Sequence, residues 1–203
     1  DVVTAAYRVE LRQGNKAPQV QTWYVQREAK RITIIKPGMD DVWQKNEADQ
    51  ISFERVFHAD KTVVEYPAGE LRTLGITPNW AELGALFDPA KLALLKKGRP
   101  HADGATIYRG KLGTESVDIS WLDKVAMPRS LTRAQHGKVV QFTLNALPAT
   151  LPAAWSKQHQ DVDNYARIDA SDFGDMEYNP VVRKAMHLDV LAGWRTEHDH
   201  GHE

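Results

Sequence analysis

The chain has no cysteine. Disulfides, thiolate metal sites, iron–sulfur clusters and a cysteine nucleophile are therefore excluded. It has no surplus of charge either: 26 lysines and arginines stand against 27 aspartates and glutamates, for a formal net charge of −1. A general nucleic-acid binder needs spare cations to displace counterions from phosphates, so that class is excluded. No apolar run approaches the roughly 20 residues with which a helix spans a bilayer. A G-x-S-x-G nucleophile turn and a glycine-rich phosphate loop are also missing, and the expectation is a non-enzyme. The chain opens at Asp1 with no initiator methionine and no charged-then-apolar leader. This start fits a processed, exported protein and equally a longer chain trimmed to its ordered part.

What is present is a core-forming sequence. Of its 203 residues 42% are hydrophobic, too many for disorder and enough for one large domain or two small ones. A single α+β domain over residues 1–196 is expected, with a histidine-rich tail at 197–203. Val3–Gln13 alternates, with Tyr7, Val9 and Leu11 on one face and Arg8, Glu10 and Arg12 on the other. Strands follow at 20–26, 31–36, 41–45, 51–58 and 62–66, punctuated by Pro37-Gly38 and Ala59-Asp60-Lys61. A helical interlude opens at Pro78-Asn79. Asp88-Pro89 then caps a second helix expected to run to Lys97, with Gly98 as its stop. In that reading Lys96-Lys97-Gly98-Arg99 is a helix C-terminus favoured by the dipole, not an anion site. Strands resume at 105–112, 115–122, 129–135 and 138–147. A short helix is expected near 153–159. Asn179-Pro180 caps a final helix whose stripe is Val182, Met186, Val190 and Trp194. The count is about nine strands, an α+β pattern on one antiparallel sheet.

The stretch Val117 to Leu144 (VDISWLDKVAMPRSLTRAQHGKVVQFTL) places Trp121-Leu122-Asp123 at a strand end. A turn then leads to Met127-Pro128, and a polar hairpin follows the next strand. This resembles the hairpin of periplasmic proteins similar to the outer-membrane lipoprotein carrier LolA. The resemblance covers about residues 3–147. It implies a curved, half-open barrel with helices packed on its concave face, periplasmic or otherwise extracytoplasmic. It also implies a non-enzymatic role in which the concavity receives acyl chains, a lipoprotein or another protein partner. The long N-terminal helix usual in that family is missing here, and residues 148–203 lie outside the pattern.

Two functional groupings stand out. Six tryptophans are many for this length. Trp23, Trp43, Phe53, Trp121 and Trp194 are the candidate wall of an apolar ligand cavity, the competing reading being core filling. The second grouping is His198, His200 and His202, spaced to converge on a copper, zinc or nickel ion, with Glu197, Asp199 and Glu203 as oxygen donors. The acidic run from Asp161 through Asp163, Asp169, Asp172 and Asp175 to Glu177 lacks EF-hand spacing and reads as turn and cap chemistry. The remaining histidines, among them His58 and His187, are scattered, and His187 is placed on the polar side of the last helix beside Asp189. Three roles follow: a carrier of a hydrophobic ligand or docking protein, a metal-binding protein using the tail, and an accessory subunit of an extracytoplasmic complex.

Overall fold

The computed structural model describes residues 2–197, so His198, His200 and His202 lie outside the described residues. The early elements are β1 (Val3–Gln13), β2 (Gln19–Arg27), β3 (Arg31–Lys36), β4 (Met39–Lys45), β5 (Ile51–Phe57) and β6 (Thr62–Tyr66). Two short helices follow, α1 (Ala68–Thr73) and α2 (Trp80–Ala85). Next come β7 (Lys96–Pro100), β8 (Ala105–Leu112), β9 (Glu115–Leu122), β10 (Met127–Gln135) and β11 (Lys138–Ala146). The chain closes with α3 (Ala153–Gln160), β12 (Ala166–Asp169) and α4 (Pro180–Leu191).

The expected class is present, an antiparallel-rich α+β protein, but the described residues form twelve strands where about nine are expected. Two of these strands occupy segments for which the sequence predicts other structure. Residues 96–99 belong to a strand, because the helix capped by Asp88 is a 3-10 turn that ends at Leu94. The cationic run therefore serves no helix terminus. Ala166–Asp169 lies beside β6 in parallel.

These elements form two compact units. The first comprises the chain up to Pro37 together with Asn79–Thr150. Its strands run in the order β3-β2-β1-β11-β10-β9-β8-β7, antiparallel throughout. Alternation puts Tyr7 and Val9 of β1 and Val117, Ile119 and Trp121 of β9 on one face. Bulges between Ala6 and Tyr7 and between Pro128 and Ser130 add bend to their strands. That face is covered by Phe87, Leu92 and Leu95, which make one core with Ile119, Trp121, Met127 and Leu131. Arg27 fastens the cover at one end: its guanidinium donates to the carbonyls of Gly84, Val125 and Ala126. A Cβ at Gly84 would lie 2.7 Å from Arg27 Cδ, so a larger residue there would have to displace that side chain.

The second unit comprises Gly38–Pro78 and the described residues from Leu151 onward. Its strand order is β12-β6-β5-β4. Two faces of α4 have different fates. Val182, Ala185 and Asp189, spaced at three and four residues, are fully buried, whereas Arg183 and His187 are exposed. Asn179 starts the helix by accepting from the amides of Val181 and Val182.

Candidate functional site

The aromatic residues proposed as one cavity wall divide between the units. Trp121 is buried in the apolar core of the first unit. Trp23, on β2 of the same unit, stands edge-on to Phe142 with ring centroids 5.4 Å apart, and Lys36 caps its face. Its indole N–H is buried without an acceptor among the described residues. A cleft of about 370 Å³ lies here, between Trp23, Val140, Phe142 and the Glu115–Arg133 pair.

Trp43, Phe53 and Trp194 converge in the second unit. Trp43 stacks on Phe53 at 4.3 Å, and Trp194 stands edge-on to Phe53 at 5.3 Å and to Trp43 at 6.0 Å. An arginine packs against two of the three rings. The Arg55 guanidinium lies 5.0 Å from the Phe53 ring and 5.1 Å from that of Trp194. Arg55 donates to Asp189 at 3.0 Å, Arg195 donates to the other oxygen of Asp189 at 2.9 Å, and the Tyr66 hydroxyl donates to the same carboxylate at 2.8 Å. Asp41 stands 3.8 Å from Arg55, and Glu70 stands 3.9 Å from Arg195. Asp189 has no solvent exposure at all. Burial, reinforced by the Asp189 charge, pushes the Tyr66 phenol well above its ordinary range. A buried carboxylate held by two guanidiniums and a phenol is satisfied.

A second buried polar row crosses the same unit. His58 engages Asp40 through Nε2 at 2.9 Å and the Tyr165 hydroxyl through Nδ1 at 3.0 Å, and Trp155 donates to the same Asp40 oxygen at 2.8 Å. A polar cleft of about 400 Å³ lies alongside, lined by His58, Lys61, Asp161 and Tyr165. Both ring nitrogens of His58 are thus engaged by neighbouring side chains. Sequence reading did not find this row or the Arg55 cluster. The available signals were Arg55 interrupting an apolar strand face and Asp189 lying three and seven positions along from Met186 and Val182 on the helical stripe.

A further opening lies along the outer stripe of α4. It measures about 640 Å³ and is lined by Tyr178, Arg183, Met186, His187 and Val190, with Glu177 and Glu197 at its ends. Met186 and Val190 give an apolar floor, and Tyr178 stands 87% exposed beside it. Arg183 is held at the rim by donating to the Glu177 carbonyl at 3.0 Å. Among the described residues no cluster of histidine and carboxylate groups is arranged to hold a metal ion, and no helix is long and apolar enough to cross a membrane.

No family model matches the chain, and neither does any curated protein sequence. Solved structures do match. One is PNGF-II, with a TM-score of 0.44 and 11% identity over 88% of this chain, which spans only 33% of that protein. A DUF1329 family protein from Desulfovibrio piger follows, with a TM-score of 0.41 and 10% identity over 76% of this chain and 88% of its own. The third is a LolA superfamily protein from Nitrosomonas europaea, with a TM-score of 0.35 and 6% identity over 76% of this chain and 89% of its own.

Proposed function

We propose that the chain is a non-enzymatic binding protein of the cell envelope that holds an acyl-type hydrophobic ligand against the outer stripe of α4. The carrying observation is the groove itself. Its volume falls within the range of ligand clefts, its floor is Met186 and Val190, and its polar groups stand at the rim. Arg183 and His187 suit an anionic head group there, while Tyr178 offers an apolar ring with a polar tip. The inner sheet face of the first unit supports carriage less well, because Phe87, Leu92 and Leu95 already cover it. A binding role is also what the LolA resemblance implies. The non-enzymatic reading is supported by Asp189 being wholly buried among Arg55, Tyr66 and Arg195. Solvent extraction and native mass spectrometry of protein purified from its own host test the reading. A bound lipid mass is expected, and a chain that carries none and takes up no acyl probe would refute it.

A second reading rests on the terminal histidines. His198, His200 and His202 are proposed to capture Cu²⁺, Zn²⁺ or Ni²⁺. Titration of the full chain and of one ending at Glu197 discriminates, with higher affinity expected only in the full chain. The cut must follow Glu197, because Arg195 belongs to the buried cluster.

A further inference from the structure

The outermost strand of the first unit carries a charge pattern that its own sheet does not need. Strand β7 reads Lys96-Lys97-Gly98-Arg99-Pro100 and is exposed at every residue. It pairs with β8 alone, and among the described residues no strand lies beyond it. One row of its backbone N–H and C=O groups therefore points away from the sheet. Pairing starts at Lys96 opposite Arg109 and slips between Lys97 and Pro100. Like charges directly opposite each other destabilise a sheet. Arg109 is relieved by Asp118 at 2.8 Å, but Lys96, Lys97 and Arg99 have no acidic partner among the described residues.

Beside this edge lies a groove of about 450 Å³ lined by Lys97, Arg99, His101 and half-buried Ile107. Leu94, immediately before the strand, is 72% exposed. An edge with cations on it is protected against its own copies, since antiparallel self-pairing would set lysine against lysine. The same charges favour an incoming strand of opposite sign. We infer that β7 is a docking edge for an extended acidic segment of a partner protein, which adds to the sheet as a further antiparallel strand. Its carboxylates meet the cations on one face of β7, and the alternate apolar side chains lie on the other face. Main-chain bonding supplies the geometry and charge selects the partner.

The test uses the full chain and a fluorescein-labelled ten-residue peptide of alternating glutamate and valine, read by anisotropy at 50 mM and 300 mM salt. Saturable binding is expected, weakening steeply with salt, together with slowed hydrogen exchange at 96–99. Lys97→Glu with Arg99→Glu should weaken binding at least ten-fold with an unchanged melting temperature, because both residues are exposed. Methylating alternate peptide nitrogens on the side that faces β7 should weaken binding to the unaltered protein by a similar factor. Equal binding of methylated and parent peptides would overturn strand addition and leave charge attraction alone. Retention on anionic phosphatidylglycerol vesicles with no peptide binding would also overturn the proposal.

Discussion

The two units solve the burial problem in opposite ways. In the first, the core is almost wholly apolar: Ile119, Trp121, Met127 and Leu131 meet Phe87, Leu92 and Leu95. Its buried polar links are few, chiefly the Tyr7 hydroxyl donating to the Pro128 carbonyl at 2.7 Å and Arg27 at the cover. In the second, α4 and the segment after it are tied to β5 and β6 by Arg55, Tyr66, Asp189 and Arg195. Apolar packing is tolerant of which hydrophobe sits where. A charge cluster is not, because removing one member strands the others in a medium that solvates them poorly. The inner face of α4 is therefore fixed by ions, which leaves its outer stripe free to be apolar without the helix turning over.

The largest effect should come from breaking that cluster. Asp189→Ala leaves Arg55 and Arg195 uncompensated and is expected to cost about 3–5 kcal/mol in urea unfolding. Hydrogen exchange should rise in β5, β6 and α4 more than in β9 and β10. An effect below 1 kcal/mol would mean that water reaches the cluster, and the contrast between the units would fail. Leu131→Ala is the matching change in the first unit, expected to cost about 2–5 kcal/mol through cavity formation. Leu131→Met should cost under about 1.5 kcal/mol, a tolerance that Asp189→Asn should not share. Tyr66→Phe removes one donor from a carboxylate that keeps two guanidiniums, and about 1–3 kcal/mol is expected.

A pH profile sharpens the same contrast. Burial raises the folded-state value of both Tyr7 and Tyr66 above the ordinary phenol value of 10.0. Their contributions are complete below that value and are lost as pH climbs toward the raised folded ones. The urea midpoint should therefore fall above pH 10, and Tyr66→Phe should shallow that fall. The smallest effect belongs to an exposed pair: Arg109→Ala, which releases Asp118, should change stability by no more than about 1 kcal/mol.

Much of the fold is legible in the sequence, and the reasons are local. The alternation in β1 and β9 and the turns at Pro37-Gly38 and His136-Gly137 declare an antiparallel meander. Asn179-Pro180 declares the start of α4. Strand β7 is illegible because its composition, two lysines and a glycine after a leucine-rich turn, matches a helix C-terminus equally well. The 3-10 geometry after Asp88 decides otherwise. Strand β12 is four residues long and gains its partner only through β6, far away in sequence. The charge cluster is hidden for a different reason. Arg55 and Asp189 are 134 residues apart, and each alone reads as a flaw in an apolar face rather than as half of a pair. Trp43, Phe53 and Trp194 stand out in the sequence as aromatics, but what lies between Phe53 and Trp194 depends on that hidden pair.

The most direct test of the account is an equilibrium titration of the full chain with a fluorescent sixteen-carbon acyl probe, set against Val190→Glu. The account predicts saturable one-to-one binding that weakens at least ten-fold in the variant, with the urea midpoint of both proteins alike. Equal affinity in the two proteins, or no saturable binding in either, would contradict a hydrophobic guest on the outer stripe of α4.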